Sequence, residues 1–307
     1  MSRKKQKVKK SDPNGPARNL IAAASYRTTG GVFIEGLTPY PAEHESYTER
    51  YAIASLVLCH DVVQIKSQPD VESYIDAHGK KRRYIPDLSV NTKYLELTIE
   101  VKTLNYLFQP KAINKYQQIG HHYRNSKKRF VFLTDAQIED GERFKNIKIL
   151  FRYAHSHLPN TTLEKLSTWC SESAVSIANL MDLLELELVE VYTAIAQKHL
   201  CIDWNLPLSK DSLISHTNKP LQGLSIEHLI SSSRYGYLLE QLAMGDSPSN
   251  KRLLVAGTTW RQPKAQLNAF SSVGAFQRED AMRDLTKDEL RAGTVWSRRN
   301  RAPGKAN

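Results

Sequence analysis

Lys93-Tyr-Leu-Glu-Leu-Thr-Ile-Glu-Val-Lys-Thr103 alternates with period two, with Leu95, Leu97, Ile99 and Val101 on one face and Tyr94, Glu96, Thr98, Glu100 and Lys102 on the other. Successive side chains of a strand point to opposite faces, so the stretch predicts a strand with one apolar and one polar face. That polar face is either solvated or the wall of a reaction site. Just upstream, Arg82-Arg-Tyr-Ile-Pro-Asp-Leu-Ser-Val90 reads as a second strand, and a turn near Asn91-Thr92 would fold it back so that Asp87 lies beside Glu100.

Outward from this pair the pattern continues. Ser46-Tyr-Thr-Glu49 is a capping-box signature, with Ser46 accepting from the Glu49 amide and Glu49 returning to Ser46. Tyr47, Tyr51, Ala54 and Leu58 follow it at helical spacing, which predicts a helix over 46–59. Val62-Val-Gln-Ile-Lys66 reads as a strand, and Ser73-Tyr-Ile-Asp76 with the Arg82 strand flanks a hairpin whose tight point is Gly79. A helix over 111–125 and a strand, Arg129-Phe-Val-Phe-Leu-Thr134, complete an α/β core: a mixed sheet of four or five strands flanked by helices.

The chain has 307 residues, enough for about two domains. Residues 1–18 read as a disordered basic arm, 19–158 as the α/β domain, and 161–217 as a helical, winged-helix-like module. In that module Ile177, Leu180, Leu183 and Leu184, then Leu188, Val191, Tyr192 and Ile195, keep helical spacing. Leu200-Cys-Ile-Asp-Trp204 and Leu206-Pro-Leu208 suggest a small wing. Residues 218–307 read as a partly ordered extension with amphipathic stretches at 225–243 and 278–292.

Net charge is +11 and it is segregated: +10 over residues 1–160, −5 over 161–217 and +6 over 218–307. The basic first segment suits a polyanion, and the acidic middle one suits a protein partner. No run of about 18 apolar residues occurs, so neither a membrane span nor a membrane partner is expected. The basic N-terminus has no apolar segment behind it and does not read as a secretory signal. Three scattered cysteines, Cys59, Cys170 and Cys201, exclude a disulfide framework and fit a reducing cytoplasm.

The chemistry concentrates in Glu49, Asp87, Glu100 and Lys102. Three converging carboxylates repel one another unless a cation neutralises them, and hard oxygen donors suit Mg²⁺, with Mn²⁺ able to substitute. Such a cluster suits phosphodiester hydrolysis, with Lys102 orienting water, aiding its deprotonation or stabilising negative charge. Lys80, Lys81, Arg82 and Arg83 form a cationic hairpin tip suited to DNA phosphates.

These residues resemble the PD-(D/E)xK restriction-endonuclease-like nucleases, and more narrowly the TnsA family, the endonuclease subunit of heteromeric TnsA/TnsB transposases. The resemblance spans about Ser46 to Asp135 and rests on Ser46-Tyr-Thr-Glu49-Arg-Tyr-Ala, Val62-Val-Gln-Ile65 with Gln68-Pro69, Ile85-Pro86-Asp87-Leu88, Ile99-Glu100-Val101-Lys102 and Phe130-Val-Phe-Leu-Thr-Asp135. It implies a restriction-endonuclease-like fold and Glu49 and Asp87 as metal-binding acids. It also implies Glu100 as the third active-site position, the Val101 carbonyl as a further ligand, and Lys102 as the active-site lysine. It implies cleavage of the 5′, non-transferred strand at transposon ends, a DDE-type TnsB-like partner for the 3′ strand, and a TnsC-like AAA+ regulator contacting the helical module. A prokaryotic cytoplasm, with nucleoid association when DNA-bound, follows from the same source. The extension after residue 218 and the basic arm lie beyond the shared region.

Rival readings stand beside these. Glu49 could be only a cap, Glu45 is a competing helix carboxylate, Asp87 could be an ordinary strand-end aspartate, and Glu100 with Lys102 could be a solvated ion pair of small energetic worth. Glu96 shares their face but reads as peripheral. Adjacent His121 and His122 point in different directions on a helix and do not read as a metal site. The alternatives to the transposase reading are a restriction- or junction-type DNA nuclease without a transposition partner, or a catalytically inactive DNA-binding adaptor.

Overall fold

The computed structural model describes residues 15–18, 29–169, 173–217, 221–231 and 235–246. Met1–Ser247 forms one compact unit, and the second, Pro248–Asn307, lies outside the described residues, as do the expected amphipathic stretch at 278–292 and residues 1–14 of the basic arm. Arm residues 15–18 are held rather than loose. The Ala17 N–H donates to the Gln68 carbonyl at 2.8 Å, and Arg18 pairs with Glu45 at 3.5 Å.

A short hairpin, β1 (Gly30–Val32) and β2 (Ala42–His44), leads into α1 (Tyr47–Leu58). The Ser46 hydroxyl caps α1 by accepting the Glu49 N–H at 3.1 Å. Behind the cap, Ala52 to Leu58 are all buried. β3 (Val62–Ser67) follows, then a second hairpin of β4 (Glu72–Ile75) and β5 (Lys81–Tyr84) turning at Gly79, whose φ of 73° favours glycine. β6 (Leu88–Thr92) and β7 (Glu96–Lys102) complete the region read first from the sequence.

The central sheet has the order β3-β6-β7-β8, where β8 is Arg129–Thr134. β3, β6 and β7 are antiparallel neighbours, while β7 and β8 run parallel, so the sheet is mixed, as expected. The parallel step is reached through α2 (Leu104–Leu107) and α3 (Pro110–Asn125), the crossover that a parallel pair requires. Leu97, Ile99 and Val101 of β7 enter the same core as Ile53, Leu56 and Val57 of α1. The alternate residues Thr98 and Glu100 lie opposite Phe130 and Phe132 of β8, on the side where Tyr116 and Tyr123 of α3 are buried.

After β8 come α4 (Asp135–Ile138), α5 (Gly141–Leu150) with a 3-10 turn at Phe151–Tyr153, and α6 (Asn160–Thr168). Then β9 (Val175–Ser176), α7 (Ile177–Leu184), α8 (Leu188–Ala196), β10 (Leu200–Ile202) and β11 (Leu213–His216) form a helix pair with a small antiparallel sheet ordered β10-β11-β9. The second strand of this sheet is Leu213–His216. Residues 206–208, expected to form it, are an irregular segment tied to Asn146, whose side chain donates to the Leu206 carbonyl at 2.8 Å and accepts the Leu208 N–H at 3.2 Å.

The stretch predicted as one amphipathic segment over 225–243 is two helices, α9 (Ile226–Ser231) and α10 (Gly236–Ala243), with residues 232–234 between them outside the described set. α9 packs on α4 and β8, and α10 on α3 and β8, so the first part of the extension joins the α/β core. No helix among the described residues is long and apolar enough to cross a membrane.

Candidate functional site

β6 and β7 are registered with Leu88 opposite Ile99, so Asp87, one step before β6, falls opposite Glu100. This is the juxtaposition expected from the sequence. Both residues lie toward the end of the sheet where β7 finishes, and Lys102 is the last residue of that strand. The Lys102 ammonium sits between the two acids, 2.6 Å from Asp87 Oδ2 and 3.0 Å from Glu100 Oε1, and also donates to the Val101 carbonyl at 2.9 Å. Asp87 Oδ2 accepts the Val101 N–H at 2.8 Å as well.

Glu49 reaches this group from the first turn of α1. The reciprocal half of the capping box differs from expectation: the Glu49 carboxylate accepts the N–H of Glu45, at 2.7 Å, instead of that of Ser46. Glu45 itself is the outer carboxylate, paired with Arg18. Glu49 is 92% buried, and burial raises its pKa against the pull of the Glu45 amide and the Lys102 ammonium.

Electrostatics mark the site as strained in the sense that functional sites are. Burial and the neighbouring Glu100 carboxylate push Asp87 up to about 7 against the attraction of Lys102, and Glu49 adds to the push. For Lys102 burial pulls down, but the carboxylates of Glu100 and Asp87 outweigh it and hold the ammonium above its ordinary value. Lys102 is therefore a fixed cation at neutral pH. It donates to Asp87 and the Val101 carbonyl and lies 3.0 Å from Glu100, where its charge offsets theirs.

Two residues that the sequence reading passed over complete the wall. The Tyr84 hydroxyl, at the base of the basic hairpin, donates to Glu100 Oε2, and the Tyr116 hydroxyl on α3 donates to Glu100 Oε1 at 2.5 Å. Burial, then the Glu100 charge, raises both phenols, so they remain donors. The Lys115 ammonium lies 4.6 Å from the Tyr116 ring centre and 5.6 Å from that of Tyr84. The signal for Tyr116 was the spacing of Ala112, Tyr116, Ile119 and Tyr123 on one helix face, where a phenol hydroxyl needs a partner; no such period marks Tyr84.

Residues 80–83 of the hairpin are exposed, but they are not four free cations. Arg82 Nε donates to Asp76 Oδ2 at 2.7 Å, and Asp76 also accepts the N–H groups of His78 and Lys80, each at 2.9 Å. Arg82 braces its own turn, which leaves Lys80, Lys81 and Arg83 as the outward cations. Lys128 pairs with Glu72 at 2.6 Å, and the same carboxylate lies 3.7 Å from His122. Glu96 is exposed and accepts from Ser89 at 3.2 Å, far along β7 from the acidic group.

Among the described residues, no three His, Cys, Asp or Glu side chains are gathered as a metal-ligand set. The donors still suit Mg²⁺, which is typically held by one or two carboxylates with water filling its octahedron. Asp87 Oδ1 carries no hydrogen bond within the described residues, and the Val101 carbonyl faces the same group. No family model matches the chain, and no curated protein matches its sequence.

Proposed function

We propose that this chain is a divalent-metal-dependent DNA endonuclease, and more narrowly a TnsA-like subunit that hydrolyses the 5′ strand at transposon ends. The observation that carries the reading is the Lys102 ammonium held within hydrogen-bonding distance of both Asp87 and Glu100, with Glu49 electrostatically linked to the same group. A structural ion pair needs no third buried acid beside it. A hydrolytic site does, because its acids must hold a metal.

Asp87, Glu49 and the Val101 carbonyl would hold Mg²⁺ or Mn²⁺, which when bound lowers the pKa of a water and offsets phosphate charge. The chain's own groups do the rest. The Lys102 ammonium, its three protons directed at Asp87, Glu100 and the Val101 carbonyl, would offset negative charge as it builds on a non-bridging or leaving oxygen. Lys80, Lys81 and Arg83 would meet DNA phosphates beyond the scissile one. The mixed sheet with its flanking helices supports a restriction-endonuclease-like fold, and the α7–α8 pair with β9–β11 supports a winged-helix-like module. Its acidic balance favours a protein contact, such as a TnsC-like AAA+ regulator, over DNA.

The test is 5′-strand cleavage by Asp87→Ala and Lys102→Ala chains assembled with a TnsB-like transposase and a TnsC-like ATPase. Both should lose the 5′ cut while 3′ joining persists, and full 5′ cleavage by either defeats the assignment. A second reading, a DNA-binding adaptor without catalysis, is favoured by Lys102 already filling the interval between Asp87 and Glu100. It predicts that the wild-type chain binds no Mn²⁺ in a calorimetric titration.

A further inference from the structure

Glu100 belongs to the acidic set, yet its oxygens are occupied differently from those of Asp87 and Glu49. Oε1 accepts two donors, the Tyr116 hydroxyl at 2.5 Å and the Lys102 ammonium at 3.0 Å, and Oε2 accepts the Tyr84 hydroxyl. A carboxylate oxygen has two in-plane lone pairs, so Oε1 is saturated. The side chain is 3% exposed, so no water shell competes for it. Both hydrogen bonds to the Asp87 side chain fall on Oδ2, and none of the described residues donates to its Oδ1.

For Glu100 to ligate an ion through Oε1 it would have to give up the Lys102 ammonium or shed the Tyr116 phenol, the latter leaving a buried donor unpaired. The phenols are not free to follow a rotating carboxylate. The Tyr116 ring packs edge-on against Phe132 at 5.2 Å, and the Tyr84 ring packs edge-on against Tyr123 and Phe130, both at 6.4 Å. Sheet and helix therefore fix Glu100 from behind, and its front is spent on Lys102.

We propose that Glu100 is a positioning residue: Tyr84 and Tyr116 lock its carboxylate so that it aims Lys102, and the divalent ion takes its side-chain ligands from Asp87 and Glu49. The proposal rests on the nuclease reading above. It departs from the expectation that Glu100 ligates the metal.

The experiment uses the full chain as Glu100→Gln, Asp87→Asn and the double variant Tyr84→Phe/Tyr116→Phe, which keeps both rings. Mn²⁺ affinity is measured by calorimetry, and cleavage of end DNA in the assembled transposase. Glu100→Gln and the tyrosine double variant should bind Mn²⁺ within about threefold of wild type, while Asp87→Asn binds at least about tenfold more weakly. The same Glu100 and tyrosine variants should cut at least about tenfold more slowly with unchanged DNA affinity, a split that simple loss of packing does not produce. Mn²⁺ binding weakened by Glu100→Gln as much as by Asp87→Asn overturns the proposal. A metal-free control separates it from the parent reading. Glu100→Gln with Lys102→Met should lower Tm no further than the worse single change, and additive losses refute the positioning role even if the wild type neither binds Mn²⁺ nor cuts DNA.

Discussion

The Val101 main-chain N–H donates to Asp87 Oδ2 at 2.8 Å, so the acid of the proposed metal site also ends the β6–β7 ladder. Asp87 thus has a structural role beside its proposed chemical one, and two substitutions separate them. Burial and Glu100 push its pKa up to about 7, so the carboxylate form is costly here. Asp87→Asn keeps an oxygen for the Val101 amide and removes that cost, so stability to urea should be unchanged or higher. Asp87→Ala leaves a buried amide unpaired and should be less stable than Asp87→Asn by about 1–3 kcal/mol. Both should lose cleavage, the pattern expected where a site is tuned for function at the expense of stability.

Ser46 both caps α1 and sets the helix turn that carries Glu49. Ser46→Ala should cost about 1 kcal/mol in urea unfolding, and Ser46→Asp, which restores the acceptor, should recover most of it. Because the Glu49 carboxylate is separately held by the Glu45 amide, Mn²⁺ affinity should change less than stability does.

The parts legible in advance were those encoded over short stretches. The alternation from Leu95 to Lys102 gave the strand and its two faces, and the spacing of Asp87 to Glu100 gave their pairing across β6 and β7. The Ser46 cap was legible for the same reason. Contacts decided by distant chain were not. The Glu49 carboxylate takes the amide of Glu45, the residue after β2, and Arg82 turns to Asp76 because the hairpin closes on itself. The Tyr84 and Tyr116 clamp joins positions 32 residues apart, which no local period reports. The strand expected at 206–208 failed because Asn146, on α5, holds that segment in an irregular form.

Gly120 of α3 meets the end of α10 backbone to backbone. A Cβ there would lie 2.6 Å from both the Ala243 carbonyl and the Gly245 nitrogen. Gly120→Ala must push α10 away from α3 and should cost about 1–3 kcal/mol in urea unfolding. Gly245→Ala should cost more, since its φ of 80° adds backbone strain to a 2.5 Å approach to the His121 nitrogen.

The hairpin predicts a division of labour among its cations. Lys81→Ala/Arg83→Ala removes outward charge only, so DNA affinity should fall about equally for all sequences. Its slope against log salt should shrink by about 2, near 0.9 per lost phosphate contact. Arg82→Ala should act instead through the turn. The Arg82 hydrogen bond, with the amides of Lys80 and His78, holds the Asp76 carboxyl down at about 2, and without it the β4–β5 hairpin loses its brace. Fluorescence anisotropy across a salt series distinguishes the two, and equal slopes for the wild type and the Lys81/Arg83 variant would remove the hairpin from the DNA interface.

His60, just past α1, supplies a pH test remote from the acidic group. Its N–H donates to the Leu224 carbonyl at 2.7 Å, which ties the segment before α9 to the helix end, and its ring lies 3.9 Å from the Cys201 sulfur. Burial, with the charges of Lys198, Lys93 and His199 facing it, lowers its pKa from 6.5 to about 4. A histidine held neutral in the fold but protonated when unfolded contributes stability that is fully present above pH 6.5. That stability is lost as pH falls from 6.5 toward 4. The Tm of the wild type should therefore drop across this window by more than that of His60→Gln, whose amide has no proton to gain. Parallel Tm curves for the two proteins between pH 7 and 4.5 would show that the ring titrates alike in both states, and the tie between α1 and the α9 segment would then rest on the backbone hydrogen bond alone.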